Sequence, residues 1–229
     1  MPSKADKKPA PEPSRKRVFI VDDHPVFRDG LRRVIESDRG LTVCGEASAA
    51  SQAFDAIRRE KPDLVITDIS LPGKSGLELL QDLHAFDPAL PVLVISMHDE
   101  SVYAERVLRA GGRGYVMKQE GPAGMLVAIQ RVLSGKVAVS EKMAAEILDS
   151  ISRPHQQEGE AATIGKLTSR EFEVLRLIGQ GKDSHDIADT LHLSIKTVDT
   201  HRGNIRQKLG LRNGTELIHY AVRWLGEEG

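Results

Sequence analysis

Short apolar runs alternate with longer amphipathic stretches between Arg17 and about Gly135, and this alternation constrains the fold more than any other feature. The runs are VFIV, LTVCGEA, DLVITD, PVLVIS and GYVMK. Strands that alternate with helices predict a parallel sheet wrapped by helices. Because VFIV, LVIT and VLVI are apolar throughout, we expect them to be central strands covered on both faces. The predicted fold class of this segment is α/β, with five parallel strands.

Only helical patterns follow in the last third of the chain, and each predicted helix begins at a capping residue. Thr168 followed by Glu171 is a capping box at the start of the first helix. The other three caps, which precede helices ending near residues 191, 209 and 225, are Asp183, Ser194 and Asn213. A tight turn at His192 between the second and third helices predicts an all-α, four-helix domain with a helix-turn-helix.

The length of 229 residues fits two domains that each bury a core. Residues 1–16 are rich in Pro, Lys and Ser, which predicts a disordered leader. The α/β domain is assigned to 17–137 and the helical domain to 165–229. Residues 138–164 are predicted to be a linker, with a helix at 140–151.

Composition excludes several classes of protein. No apolar run approaches the roughly 18 to 20 residues that a membrane helix needs, and the N-terminal segment lacks the apolar region of a secretory signal. We therefore expect a cytoplasmic protein with no membrane partner. The single cysteine, Cys44, excludes an internal disulfide framework, and its apolar neighbours favour an inert thiol.

Polar side chains follow four of the predicted strands. In a doubly wound parallel sheet the carboxyl ends of the strands meet at one edge, where ligands bind. Three carboxylates at one place repel one another unless a cation lies among them, and oxygen ligands favour Mg²⁺. A carboxylate that accepts a phosphoryl group forms an acyl phosphate. The residues predicted to meet at this edge are Asp22, Asp23, Asp68, Ser96 and Lys118.

Other interpretations exist for single residues of this set. An Asp or Ser at the end of a strand is more often a helix cap or turn residue, but the ordered combination is hard to obtain by chance. The sequence Gly73-Lys74-Ser75 matches the end of a phosphate-binding loop, yet the glycine required five places earlier is Asp68. A phosphatase that uses Asp68 as its nucleophile needs a second acid two residues later, where this chain has Ser70.

Residues 17 to about 135 resemble the receiver domain of two-component response regulators, which has a flavodoxin-like fold. The resemblance implies that Asp68 is the phosphoacceptor and that a sensor histidine kinase is the donor. It also implies a Mg²⁺ site formed by Asp22, Asp23, Asp68 and the backbone carbonyl of Ser70. The resemblance further implies that Ser96, Lys118 and Tyr115 stabilise the phosphoryl group and act in switching. Pro72 and Gly76 match the loop that follows the phosphoacceptor in this family.

The net charge of −1 hides a basic stripe between Lys196 and Arg212, with five Lys or Arg against one Asp. On the third predicted helix, Val198, Ile205 and Leu209 share one face, which we expect to be the core side. The opposite face and its flanks would contact base edges and phosphates of double-stranded DNA. The predicted contact residues are Ser184, Lys196, Thr197, Asp199, Thr200, Gly203, Asn204, Arg206, Gln207 and Lys208, with Arg202 also assigned to phosphates.

The whole helical segment resembles the LuxR-type helix-turn-helix, and the complete chain resembles the NarL/FixJ class of response regulators. His185 and Asp199 depart from that class, in which basic residues are frequent at both positions. The resemblance implies a transcription factor that pairs as a homodimer when phosphorylated. It implies no enzymatic activity beyond weak self-phosphotransfer and autodephosphorylation. The fourth helix, 214–225, is either the pairing surface or part of the core. A phosphorylation-independent DNA binder is the remaining alternative.

Overall fold

The computed structural model describes residues 15–152 and 164–227. Residues 1–14 of the predicted leader and 153–163 of the predicted linker lie outside the described residues. The predicted leader boundary at residue 16 is wrong, because Lys16 is the first residue of a strand. Its backbone N–H donates to the carbonyl of Gly40 at 2.7 Å, and its ammonium pairs with Asp63. These contacts extend the ordered sheet by one residue.

Five parallel strands form the sheet of the N-terminal domain in the order β2-β1-β3-β4-β5, which confirms the predicted fold class. The winding direction changes between β1 and β3, so the loops after these two strands diverge at the carboxyl edge of the sheet. The strands are β1 Lys16–Val21, β2 Leu41–Ala47, β3 Leu64–Thr67, β4 Val92–Ser96 and β5 Gly114–Met117. The flanking helices are α1 Pro25–Glu36, α2 Ala50–Glu60, α3 Gly76–Phe86, α4 Glu100–Arg109 and α5 Gly121–Leu133.

The central strands are buried on both faces, as their continuous apolar character predicts. Within β1, Val18 and Ile20 pack into one apolar cluster, whereas Phe19 and Val21 pack into the other. Successive side chains of a strand point to opposite faces, so one strand contributes to both clusters. Complete burial of each large apolar side chain contributes about 1.5–3 kcal/mol to folding. This double-sided core holds the strand ends in a fixed register.

The first part of the predicted linker is packed against the α/β domain. The N–H of Tyr115 donates to the carbonyl of Ala138 at 2.8 Å, and Ala138 is 3% exposed. Gly114 permits this close approach, because a Cβ at that position would lie 2.4 Å from the same carbonyl oxygen. Helix α6, Glu141–Ser152, follows and packs against α4.

Within residues 165–227 the C-terminal domain contains four helices, which have the predicted caps. Thr168 and Glu171 form the capping box of the first helix, and Asp183 accepts hydrogen bonds from two backbone N–H groups at the second. Ser194 caps the third helix, and Asn213 accepts from the N–H of Glu216 at the fourth. The helices are α7 Ser169–Gly179, α8 Ser184–Leu191, α9 Ile195–Leu209 and α10 Gly214–Glu227.

The core of the helical domain contains most of α10. Leu217, Ala221 and Trp224 are 0–6% exposed, whereas Ile218 and Val222 are 44% and 50% exposed. Helix α10 packs mainly on α7. Of the two predictions for this helix, a pairing surface or part of the core, its inner face fits the second. Its outer face carries the apolar Ile218 and Val222 beside the exposed polar residues Thr215, His219 and Arg223. On α9, Val198 and Ile205 are buried and Leu209 is half-buried, as predicted.

Candidate functional site

Four side chains lie at the carboxyl edge of the sheet, each at the end of its own strand or directly after it. Asp22 follows β1, Asp68 follows β3, Ser96 ends β4 and Lys118 follows β5. Asp22, Asp68 and Ser96 are at most 3% exposed. The parallel strands end at one edge, so the fold itself brings these polar groups together inside an otherwise apolar layer.

Lys118 links the two buried carboxylates. Its Nζ lies 2.7 Å from an oxygen of Asp22 and 2.7 Å from an oxygen of Asp68. Burial alone would lower the pKa of Lys118, but the charges of Asp68 and Asp22 hold that pKa above its ordinary value. The ammonium therefore stays charged at neutral pH and partly neutralises the pair. It also lies over the ring of Phe27, 4.3 Å from the centroid.

The same edge has the ligands of a cation site. Burial, opposed by Lys118, raises the pKa of the Asp22 carboxyl, which is the signature of carboxylates crowded out of water. Ligand atoms of Asp22, Asp23, His24 and Asp68 lie within 4.8 Å of one another. Three of these four residues offer carboxylate oxygens, which suit Mg²⁺. The cluster therefore fits the predicted cofactor.

The predicted switch residues lie beside this cluster. Ser96 Oγ is buried and has no hydrogen-bond partner of normal geometry among the described residues. The hydroxyl of Tyr115 donates to the backbone carbonyl of His98 at 2.8 Å. Burial raises the pKa of this phenol, so it remains a donor. Ser96 thus lies at the end of β4, which pairs with β3, and Tyr115 is hydrogen-bonded to the loop after β4.

His98 is a central residue of the site that the sequence did not reveal. Its Nε2 lies 2.9 Å from the hydroxyl of Ser70, and its Nδ1 lies 2.8 Å from the guanidinium of Arg176. Burial and Arg176 lower the pKa of His98 to about 4, so the imidazole is neutral at physiological pH. The ring also stacks on Tyr103 with centroids 5.0 Å apart. A single histidine two residues after a strand carries no sequence signal for such contacts.

The predicted DNA-contact residues form the outer face of α9 and the start of α8. Lys196, Asp199, Thr200, Asn204 and Gln207 are exposed, whereas Ser184, Thr197, Gly203 and Arg206 are half-buried. The predicted face is therefore open to solvent. Two of its predicted contact residues, Ser184 and Asp199, form hydrogen bonds within the domain. Asp199 accepts a hydrogen bond from the hydroxyl of Ser184 at 3.1 Å, and that hydroxyl also accepts one from Arg202 at 3.4 Å.

Lys208 is engaged elsewhere in this structure. Its Nζ lies 2.6 Å from a carboxylate oxygen of Glu171, which is 3% exposed. The Lys208 side chain is a third exposed, so it joins α9 to the start of α7. A phosphate contact through Lys208 would compete with this ion pair.

Two family descriptions match the chain, one in each domain. Residues 18–130 match "Response regulator receiver domain", and residues 165–221 match "Bacterial regulatory proteins, luxR family". The "Oxygen regulatory protein NreC" of Staphylococcus haemolyticus (strain JCSC1435) is 31% identical over 211 residues, which are 90% of this chain and 97% of the relative.

The chain belongs to the two-component response regulators with a LuxR-type DNA-binding domain. Solved structures agree. RcsB of Salmonella typhimurium has a TM-score of 0.62 and 27% identity, covering 92% of this chain and 98% of RcsB. A LuxR-family response regulator from Aurantimonas sp. SI85-9A1 has a TM-score of 0.56 and 38% identity, covering 61% of this chain and 99% of that one.

This response regulator therefore combines a receiver domain with a domain of a transcription-regulator family, and it is not an enzyme of a conventional class. Within residues 15–152 and 164–227, no helix is both long and apolar enough to cross a bilayer.

Proposed function

We propose that the response regulator accepts a phosphoryl group on Asp68 from a sensor histidine kinase and thereby controls its binding to DNA. In this step the P–N bond of a phosphohistidine breaks as a P–O bond to a carboxylate oxygen of Asp68 forms. The departing imidazole nitrogen keeps the electron pair of the P–N bond and ends neutral or protonated, according to pH. The observation that carries the proposal is the contact of Lys118 with Asp22 and Asp68 at 2.7 Å each.

Five residues support this chemistry. Asp22, Asp23 and Asp68, with the backbone carbonyl of Ser70, would hold Mg²⁺, which supplies positive charge to the phosphoryl oxygens when bound. Lys118 adds a fixed positive charge at the same place. These groups orient Asp68 and neutralise the charge that gathers there as the phosphoryl group arrives.

Ser96 and Tyr115 form the proposed switch. A phosphoryl group on Asp68 offers acceptor oxygens to the Ser96 hydroxyl, for which the described residues provide no hydrogen-bond partner of normal geometry. Movement of Ser96 would pull the loop after β4, to which Tyr115 is bonded through the carbonyl of His98. Phosphorylation acts here through a local change of charge and hydrogen bonding that biases a larger arrangement.

The output is proposed to be binding of a homodimer to double-stranded DNA. Helix α9 follows the turn of a helix-turn-helix, and such a helix enters the major groove. A structure of RcsB from Salmonella enterica serovar Typhimurium is described as bound to promoter P1flhDC in the presence of phosphomimetic BeF3-, with 27% identity and a TM-score of 0.58. The exposed Ile218 and Val222 of α10 offer an apolar surface for pairing. The same proposal has this DNA-binding regulator acting in the cytoplasm.

A phosphatase function has less support. The position two residues after Asp68 is Ser70, whose hydroxyl is bonded to His98 and cannot protonate a leaving group as a carboxylic acid would. Any phosphate release from Asp68 would therefore be slow self-hydrolysis.

The proposal is tested by the mass of the intact protein. Incubation with acetyl phosphate and Mg²⁺ should add one phosphoryl group to the wild type, and Asp68→Asn should add none. Asp23→Asn, which keeps the acceptor and removes one metal ligand, should be labelled more slowly. Labelling of Asp68→Asn to the wild-type level would show that the acceptor lies elsewhere.

A further inference from the structure

The charge of Asp199 is out of place on a helix that enters DNA. Helix α9 contains four Lys or Arg residues and a single acid, which is Asp199. The Asp199 side chain is exposed, and a carboxylate that approaches DNA phosphates is repelled by them. Asp199 therefore weakens binding to DNA in general. It can still contribute to binding through a hydrogen bond to a particular base.

The carboxylate of Asp199 is held in a defined direction by a neutral group. One of its oxygens accepts a hydrogen bond from the hydroxyl of Ser184, at the start of α8, at 3.1 Å. That hydroxyl accepts in turn from the guanidinium of Arg202 at 3.4 Å. A carboxylate has about four lone-pair positions on its two oxygens. The bond to Ser184 therefore orients the exposed carboxylate and leaves it able to accept further hydrogen bonds.

The surface of α9 beside Asp199 allows a close approach of DNA. Gly203 lies four residues after Asp199 and so follows it on the same side of the helix. A Cβ at Gly203 would meet nothing within 4 Å, so the position is open and carries no side chain. A short side chain such as that of Asp199 reaches a base only where the helix lies deep in the major groove. The gap at Gly203 permits that depth.

A carboxylate discriminates among bases because it only accepts hydrogen bonds. The major groove offers two amino donors, N4 of cytosine and N6 of adenine. The N6 of adenine lies beside the acceptor N7, a pair that suits the amide of Asn or Gln and repels a carboxylate. Guanine presents two acceptors, and thymine presents an acceptor and a methyl group. Cytosine is therefore the base whose edge fits Asp199.

We propose that Asp199 selects a cytosine at one fixed position of the DNA site, with Ser184 orienting its carboxylate. This selectivity rests on the proposed binding of α9 in the major groove. Asp199 accepts from N4 of the cytosine, and its charge disfavours every duplex that lacks a donor at that position. The same charge that weakens general binding thus widens the difference in affinity between sequences.

The test selects duplexes from a random-sequence library with the full-length protein, acetyl phosphate and Mg²⁺, and sequences the bound DNA. The wild type should select a motif with one position at which cytosine is preferred about tenfold or more. Asp199→Lys should select guanine at that position of the same strand, because Lys donates to O6 and N7 of guanine. Asp199→Asn should select adenine there. The rest of the motif should stay as in the wild type.

Asp189→Lys is the matched control. It makes the same change of charge at an exposed acid of α8, five residues after Ser184. Any electrostatic gain in binding should be equal for all duplexes, so the selected bases should not change. Identical motifs for the wild type, Asp199→Lys and Asp199→Asn would overturn the role of Asp199. A wild type that enriches no sequence would instead overturn the proposed binding to DNA, and base selection with it.

The orienting role of Ser184 is tested with two duplexes, the selected one and one in which thymine replaces the selected cytosine. The wild type should bind the selected duplex about tenfold more tightly. Ser184→Ala should reduce this ratio of affinities, and Ser184→Thr, which keeps the hydroxyl, should restore it. The ratio is unaffected by a general loss of phosphate contacts, which weakens both duplexes equally. An unchanged ratio in Ser184→Ala would overturn the role of Ser184.

Discussion

Replacing Lys118 with Ala is expected to lower the free energy of unfolding by about 3–5 kcal/mol in the absence of Mg²⁺, because two buried carboxylates lose their shared cation. The Lys118 side chain is 5% exposed, and those of Asp22 and Asp68 are 3% exposed. Water that enters the space left by the ammonium can solvate the carboxylates but brings no compensating charge. The measurement is chemical denaturation followed by circular dichroism.

The pH dependence of this loss has a definite sign. The pKa of Asp22 is already raised by burial, so its carboxyl binds a proton more tightly in the folded chain than in the unfolded one. Ionised Asp22 thus costs stability at pH values above its ordinary pKa, and removal of Lys118 increases that cost. The destabilisation of Lys118→Ala should be largest at neutral pH and should shrink as acid protonates the carboxylates. Mg²⁺ should also reduce it.

Lys16→Ala is the matched control for the lysine substitution. Lys16 also pairs with an aspartate at 2.7 Å, but its side chain is 56% exposed and that of Asp63 is 33% exposed. An exposed ion pair contributes about 0–1 kcal/mol. A loss in Lys118→Ala no larger than that in Lys16→Ala would contradict the account of the buried cluster.

Replacing Gly76 with Ala is the second substitution with a large expected effect. A Cβ at this position would lie 1.7 Å from the carbonyl oxygen of Asp68 and 2.7 Å from its carbonyl carbon. Both are backbone atoms, and the N–H of Gly76 is fixed by the carbonyl of Ile69 at 2.8 Å. The clash can be relieved only by moving the acceptor loop, so we expect a loss of about 3 kcal/mol or more. Labelling by acetyl phosphate should fall as well.

Gly30→Ala controls for the change of residue type. Gly30 lies within α1, where a Cβ would meet nothing within 4 Å. Alanine is the better helix former by about 1 kcal/mol, so this variant should be slightly more stable than the wild type. If denaturation gives Gly76→Ala the same free energy of unfolding as Gly30→Ala, the tight approach of α3 to Asp68 has no energetic consequence.

Most of the fold could be predicted from local patterns. The five apolar runs correspond to the five strands, because buried parallel strands need apolar residues on both faces. The caps at Thr168, Asp183 and Ser194 were predictable, since a side-chain acceptor at a helix start satisfies free backbone N–H groups. The convergence of Asp22, Asp68, Ser96 and Lys118 followed from parallel topology, which collects strand ends at one edge.

Contacts between distant segments could not be predicted in the same way. The role of His98 depends on Ser70 and Arg176, which lie 28 and 78 residues away in sequence. The ion pair with Glu171 engages Lys208, a cation that the basic stripe had assigned to DNA. No periodicity or motif records such pairings, because they arise from packing of whole helices. The packing of α7 on α4 could not be predicted for the same reason.

The most direct test of the account is the affinity for a duplex selected from random sequences by the phosphorylated protein. Acetyl phosphate and Mg²⁺ should tighten binding by the wild type at least about tenfold, a coupling of ordinary size for a regulated protein. The affinity of Asp68→Asn should not change. Equal wild-type affinity before and after phosphorylation, with one phosphoryl group confirmed by mass, would contradict the claim that Asp68 controls DNA binding.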